Sequence, residues 1–396
     1  MAEPFKNLLN AALVRRAAAH LKRSAPGFDE ATFVREATRG LDALEMKARA
    51  MHIATALERT LPVEFDAAAA AIEGALAPAA VGERFEDAVE PGRQRPPPGL
   101  QGWILWPVGE FVARRGLAAP AGAQPVQPER QAQQVHRALQ VLHALTQRFT
   151  AEFAIRPFIL AHPDLVFATL ARWAHDPSLH VRRLVSEGSR PRLPWGLQLK
   201  PLIADPGPTL PLLRALQDDA SEYVRRSVAN HLNDIAKDHP QLIAQWLEQH
   251  LPGASHERLA LLRHASRTLI KQGDARVLAA WGLGGRLRGQ AALKITPARI
   301  ALGGAVRLAL TLRSTARAAQ TLHIDYAVHH VKADGSTSPK VFKGWHVTLA
   351  PREARTLERQ HAVRPITTRV YHPGRHRVVV QVNGQPVAEA AFALRV

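Results

Sequence analysis

The chain has no cysteine, and only three methionines and three tyrosines. Without cysteine there is no disulfide framework, no thiolate nucleophile and no cysteine-ligated metal or cluster. Also missing is any uninterrupted apolar run of about 18 residues, the length a bilayer demands, so no membrane partner is expected. The opening Met1-Ala-Glu-Pro-Phe-Lys-Asn lacks the basic segment and apolar run of a secretory signal. Acidic residues are in short supply: 34 Asp and Glu stand against 52 Lys and Arg, a formal net of +18 with the 19 His neutral. These absences predict a soluble cytoplasmic protein with a polyanionic partner. Arginine makes up 42 of the 52 basic residues, and an Ala- and Arg-rich composition can also follow from the base composition of a genome.

The distribution of charge separates the two explanations. Residues 1–100 carry a net of −1, residues 101–290 a net of +8 and residues 291–396 a net of +11. Compositional drift would spread evenly. A basic excess confined to the middle and the C-terminal quarter is what a shared phosphate-rich ligand requires.

Of the 396 residues, those up to about 290 read as helical. Residues 5–22 and 30–59 place apolar side chains at helical spacing (Leu9, Leu13 and Ala17; then Phe33, Ala37, Leu41 and Leu44). Stretches 91–99, with Arg93 and Arg95, and 118–127, with Pro120 and Pro125, read as loops. From residue 130 the chain repeats. Asp176-Pro-Ser-Leu-His-Val-Arg-Arg-Leu-Val and Asp219-Ala-Ser-Glu-Tyr-Val-Arg-Arg-Ser-Val align without a gap at an offset of 43, the period of HEAT or armadillo helical pairs. Val-Arg-Arg is expected to open the second helix of each unit. One step earlier, Arg148 to Pro157 matches Arg183 to Pro191 with one deletion, and 258–267 keeps the helical pattern. The predicted fold is mainly α: an α-solenoid of HEAT-like repeats with an elongated concave surface. After Leu293 the pattern changes to alternation. Segments 306–312, 321–331, 345–349 and 376–382 read as strands, with hairpin turns at Asp334-Gly335 and Asn383-Gly384. About seven short strands point to an all-β immunoglobulin-like sandwich over 291–396, after a helical domain over 1–290 and a hinge at Trp281-Gly-Leu-Gly-Gly285.

The repeat register carries the chemistry. Arg148, Arg183 and Arg226 occupy equivalent positions, and four residues on stand Glu152, Glu187 and Asn230, with Asp234 one turn beyond. Residues four apart share a helix face, so a stripe of arginines beside Glu152, Glu187 and Asp234 is expected. Intrahelical pairing such as Arg148–Glu152–Arg156 is the bland explanation for one pair, worth a few tenths of a kcal/mol. Three acids in register inside a basic channel cost DNA affinity and call for a return. Cleaving an N-glycosidic bond builds positive charge on the sugar. A carboxylate there stabilises that charge and orients a water. A base already cationic from alkylation leaves readily. Trp195, in the non-helical Arg190-Pro-Arg-Leu-Pro-Trp-Gly, is expected at the surface to stack on a sugar or base, whereas Trp173, Trp246 and Trp281 read as core. Phosphate contacts are expected from Arg182, Arg183, Arg190, Arg192, Lys200, Arg225, Arg226 and Lys237, with Arg148, Arg156 and Asn230 beside them. No metal site is expected, because His-Glu-x-x-His is absent and the histidines have no matching ligand cluster. Gly-x-Ser-x-Gly is absent too.

Three runs carry a family resemblance: Leu145-Thr-Gln-Arg-Phe-Thr-Ala-Glu-Phe-Ala-Ile-Arg-Pro-Phe, His180-Val-Arg-Arg-Leu-Val-Ser-Glu-Gly-Ser-Arg-Pro-Arg-Leu-Pro-Trp-Gly, and Ser221-Glu-Tyr-Val-Arg-Arg-Ser-Val-Ala-Asn-His-Leu-Asn-Asp-Ile-Ala-Lys-Asp-His-Pro. They resemble the AlkC branch of the HEAT-like DNA alkylation-repair glycosylases, densely over about 130–245, and the resemblance extends to the immunoglobulin-like domain that part of this branch appends. It implies a monofunctional glycosylase that removes cationic bases of the 3-methyladenine, 3-methylcytosine and 1-methyladenine class from duplex DNA, without flipping the base and with no cofactor. It implies Glu152, Glu187 and Asp234 as the catalytic acids, Trp195 as the aromatic contact, and a β domain that grips the DNA. No obligate protein partner is inferred. The leading alternative is a non-enzymatic nucleic-acid-binding HEAT scaffold; a protein–protein adaptor leaves the arginine stripe and its acids unexplained.

Overall fold

Helix starts are marked by side chains that satisfy the first free amides. In the computed structural model, which describes residues 5–80, 98–118, 128–283, 285–366 and 369–396, Asn10 accepts from Leu13 N at 2.9 Å and opens α1 (Ala11–Ser24), and Asp29 accepts from Thr32 N at 3.0 Å and opens α2 (Glu30–Thr38). The single helix expected over 30–59 is broken. Gly40 adopts a left-handed backbone (φ 70°), and the chain restarts as α3 (Met46–Thr60). Then come α4 (Phe65–Ala75), α5 (Leu105–Leu117) and α6 (Pro128–Thr146). The expected loops at 91–99 and 118–127 lie almost wholly outside the described residues, as does Gly284 of the expected hinge.

The repeat is visible as α8 (Pro163–Trp173) with α9 (Leu179–Gly188), after the short α7 (Arg156–Ala161), and as α11 (Leu210–Leu216) with α12 (Glu222–Ile235), after the short α10 (Lys200–Ala204). Val-Arg-Arg does stand in the first turn of α9 and of α12. The loop before each is built alike. Asp176 Oδ1 accepts from Ser178 N at 2.8 Å, and Asp219 Oδ1 from Ser221 N at 2.9 Å. Further helices are α13 (Pro240–His250), α14 (His256–Ala265), α15 (Arg267–Gln272) and α16 (Ala275–Ala280). Both α8 and α13 begin His-Pro, with proline at the first helical position where its missing N–H costs nothing.

The β part contains β1 (Gly289–Thr296), β2 (Arg299–Ala301), β3 (Ala305–Ser314), β4 (Gln320–Val331), β5 (Thr337–Leu349), β6 (Ala354–Ala362), β7 (Gly374–Val382) and β8 (Gln385–Arg395). Two sheets, β1-β3-β6 and β2-β8-β7-β4-β5, enclose a core of alternating residues: Leu308, Leu310 and Leu312 on β3, Ile324 and Val328 on β4, Val378 and Val380 on β7. This is the expected immunoglobulin-like sandwich, with eight strands among the described residues where about seven were expected. Asn383-Gly384 turns as predicted, with φ of 50° and 76°, the mirror-image turn that matches strand twist. Strand β6 escaped the sequence reading because it is largely exposed and shows little apolar alternation.

The chain divides into two compact units, Met1–Asp238 and His239–Val396. The β elements begin at Gly289, and α13–α16 fall in the second unit with them. There Gly384 lies so close to Gly273 that a Cβ on it would stand 2.2 Å from the Gly273 Cα.

Candidate active site

Glu152, Glu187 and Asp234 come together in the first unit, though not as a solvent-facing stripe. Residues 147–155 form turns between α6 and α7, so Arg148 and Glu152 do not share a helix face. Arg148 instead donates to Ala77 O (2.7 Å) and Ala144 O (2.8 Å), and the expected Arg148–Glu152–Arg156 ladder does not form. Glu152 pairs with the next repeat. Its Oε2 accepts from Arg183 Nη1 at 2.5 Å and from the Thr150 hydroxyl at 2.7 Å. Arg183 reaches on to Glu187 Oε1 at 3.6 Å along α9. Arg190 then donates to Glu187 Oε1 at 2.6 Å and to Asp234 Oδ2 at 2.8 Å on α12, and Lys237 Nζ ends the series 3.0 Å from Asp234 Oδ1. The result is one alternating chain of charge, Glu152–Arg183–Glu187–Arg190–Asp234–Lys237.

Each charge in this chain is held by its neighbours. Burial raises the Glu187 carboxyl, but Arg183, Arg190 and the Ser227 hydroxyl (2.6 Å to Oε2) outweigh it and keep the group below the usual carboxylate range. Burial likewise works against the charge of Arg183, and Glu152 and Glu187 reverse the balance, so its pKa is raised. The three acids differ in what remains open. Both oxygens of Glu187 and of Asp234 accept hydrogen bonds. Glu152 accepts only at Oε2, and its Oε1 has no partner among the described residues. Its side chain is also the most accessible of the three, at 12% against 7% and 3%.

Trp195 stands where the sequence put it, 62% exposed in a non-helical loop. Its backbone is left-handed (φ 64°), an uncommon state for a bulky residue that its surroundings must hold. Arg156 supplies part of that hold. It is fully buried, donates to Leu197 O (2.5 Å) on the Trp195 loop and to Gly188 O (2.9 Å) at the end of α9, and so cannot be the expected phosphate contact. Burial, with Arg190 nearby, lowers its guanidinium to about 10, still charged at neutral pH. Lys47 Nζ adds a contact to Trp195 O at 3.4 Å.

The other expected phosphate ligands divide into two groups. Arg182 grips Asp219 (2.6 and 3.0 Å) and donates to Asp176 O and Pro177 O; Arg225 donates to Asp219 O and Ala220 O. These first arginines of each Val-Arg-Arg brace the repeat loops, a correction to their expected role. Arg192 is engaged bidentately by Asp238 at 2.8 Å, and Arg183, Arg190 and Lys237 belong to the ionic chain. Arg226 and Lys200 remain exposed to solvent, and Asn230 is half-buried. Among the other tryptophans, Trp246 is core as expected, while Trp173 and Trp281 are half-buried, with Trp281 Nε1 donating to Ser266 Oγ at 3.0 Å. Missed by the sequence reading were Thr150 and Ser227, short hydroxyls with no register signal. So was an aromatic stack. Phe5 meets Trp195 (5.8 Å between centroids) and Trp103 (4.8 Å), Trp103 meets Phe149 (4.8 Å), and Trp106 stacks on Phe153 (4.9 Å). Among the described residues no group of His, Asp and Glu could hold a metal ion, and no helix is long and apolar enough to cross a membrane.

One protein family and two known proteins bear on this arrangement. Residues 290–396 match the family described as the C-terminal Ig-like domain of the uncharacterised protein YhaZ. The uncharacterised protein YhaZ of Bacillus subtilis (strain 168) is 33% identical over 384 residues, 96% of each chain. The structure of the Pseudomonas fluorescens alkylpurine DNA glycosylase AlkC, bound to DNA containing an abasic-site analog, is similar over 100% of both chains, with 34% identity and a TM-score of 0.83. With that likeness over the full length, and an Ig-like C-terminal domain in place, the chain belongs to the AlkC branch of the HEAT-like DNA alkylation-repair glycosylases.

Proposed function

We propose that the protein is a monofunctional DNA glycosylase that excises cationic N-alkylated bases, of the 3-methyladenine, 3-methylcytosine and 1-methyladenine class, from duplex DNA in the cytoplasm. The observation that carries this reading is the ionic chain, with Glu152 at its open end and Trp195 exposed nearby in the same unit. As the base departs, charge develops on the deoxyribose. Carboxylates fixed beforehand by arginines stabilise that charge without reorganising at the moment of reaction. Glu152, the acid with an oxygen to spare, orients the attacking water. Glu187 and Asp234 supply field and hold Arg190. Trp195 lies against the sugar or base, and the base stays in the stack without a pocket. Arg226 and Lys200 meet the phosphates. In this reading residues 1–290 carry the chemistry and residues 291–396 hold the DNA.

Release of free 3-methyladenine from methylated duplex DNA by purified protein tests the proposal. The expected result is release with an intact sugar–phosphate backbone. Binding without release would leave a nucleic-acid-binding repeat scaffold instead. Within the site, Glu152→Gln should bind damaged duplex as tightly as the parent and lose about a hundredfold or more in excision rate. Parent-like excision by that variant would remove Glu152 from the chemistry.

A further inference from the structure

Large apolar side chains exposed in the first unit include Phe5 (46%), Trp195 (62%) and Leu197 (50%). Phe5 and Trp195 are in ring contact, tilted at 59°, and Leu197 follows Trp195 by two positions. Leaving such side chains in water forgoes the stabilisation that burial brings, so an exposed aromatic pair in the unit that holds the ionic chain marks a place where a ligand completes the burial.

Phe5 is firmly mounted. Its ring stands edge-on to Trp103 at 88°. The turn that carries it, Phe5–Leu8, is tied to α3: the buried Arg49 donates to Lys6 O (3.1 Å) and Leu9 O (2.9 Å), and Lys6 pairs with Glu45 at 2.7 Å. Trp103 in turn packs on Phe149, and Trp106 on Phe153, so the stack that seats Phe5 also pins both sides of the segment bearing Glu152. Side chains 190 positions apart in sequence therefore share one rigid frame with the acid.

A nucleotide is the ligand that fits this mixture: flat or apolar faces for the rings, and a phosphate for the exposed Lys47, whose Nζ lies 3.4 Å from Trp195 O. We infer that Phe5 is a second aromatic contact of the damaged nucleotide, forming with Trp195 a two-ring platform that holds its sugar or base beside Glu152. The inference rests on the glycosylase reading above and extends its site to the N-terminal turn.

The test compares Phe5→Ala, Phe5→Leu and Phe5→Tyr with the parent in single-turnover release of 3-methyladenine from duplex DNA. A second readout is the preference for a duplex with an abasic-site analogue over an undamaged one. Phe5→Leu keeps apolar bulk and removes the π face; Phe5→Tyr keeps the face. Release rate and abasic-site preference should fall about tenfold or more in the Ala and Leu variants and stay near the parent in the Tyr variant. Affinity for undamaged duplex and the melting temperature should not change. Parent-like behaviour of the Leu and Ala variants in both readouts overturns the inference, and so does an equal loss of affinity for both duplexes with a lowered melting temperature. If the parent itself releases no base, the glycosylase reading fails separately, and the abasic-site preference alone decides Phe5.

Discussion

His231 lies fully buried on α12, and its Nδ1–H donates to Ser186 O at 2.9 Å. Burial lowers its pKa from 6.5 to about 4. Between those values the unfolded chain binds a proton that the folded chain refuses. The stabilisation this group contributes is therefore complete above about pH 6.5 and is lost as pH falls toward 4, worth roughly 3 kcal/mol at most. Asn at this position can donate to the same carbonyl without titrating. Chemical denaturation of His231→Asn across pH 4–6.5 should give a stability slope smaller by about one proton, whatever the other buried histidines do. An unchanged slope would mean that His231 is protonated in the native state. Arg156 makes the complementary case for a charge that positions and does not bind. In Arg156→Met, Leu197 O and Gly188 O lose their donor, which costs about 1–3 kcal/mol. Excision should fall with the loosened Trp195 loop, while affinity for undamaged duplex stays near that of the parent. A loss of undamaged-DNA affinity as large as that from removing Arg226 would contradict this assignment.

At the scale of the element, the two Val-Arg-Arg helices assign different work to adjacent arginines. In α9 and in α12 the first arginine turns back onto the preceding loop, and the second points along the repeat face, to Glu152 and Glu187 in one case and to solvent in the other. Arg182→Ala should therefore lower the melting temperature and leave the salt slope of DNA binding intact, whereas Arg226→Ala and Lys200→Ala should each reduce that slope by about one and leave stability alone. Titrating the three variants at several salt concentrations separates the roles. The 43-residue offset was legible in sequence because both loops reuse an Asp and both helices reuse Val-Arg-Arg at the same spacing. What the spacing could not carry was the step from Arg148 to Glu152, because a helical period means nothing where the backbone turns at 147–155. Nor could it distinguish an arginine aimed at a carbonyl from one aimed at a phosphate. Phe5 was invisible for another reason: its partners Trp103 and Trp195 come from distant turns, and a pairing that long in sequence leaves no period to read. Strands with one buried face, such as β3, showed themselves by alternation, and the exposed β6 did not.

For the molecule as a whole, the basic excess has two locations. Over residues 101–290, Arg182, Arg183, Arg190 and Arg192 are held by carboxylates of the same region, which leaves the net of +8 unchanged and carried by other cations, the exposed Arg226 and Lys200 among them. Residues 291–396 carry +11 with only five acids, and their exposed cations include Lys294, Arg313, Arg317, Lys340 and Arg375. If the second unit holds DNA, its exposed cations contribute to the salt dependence of binding alongside Arg226 and Lys200. Removing 291–396 outright is a poor test, because Gly273 and Gly384 touch and the cut would strip α15 and α16 of their neighbour. Neutralising the five cations one at a time to Gln, in the full chain, keeps the fold. Each that meets a phosphate should lower the slope of log affinity against log salt by about one, with little change in the single-turnover rate at saturating protein. Should none of the five alter the slope, DNA binding would rest on the repeat face alone, and the charge of the β unit would have to serve some other contact.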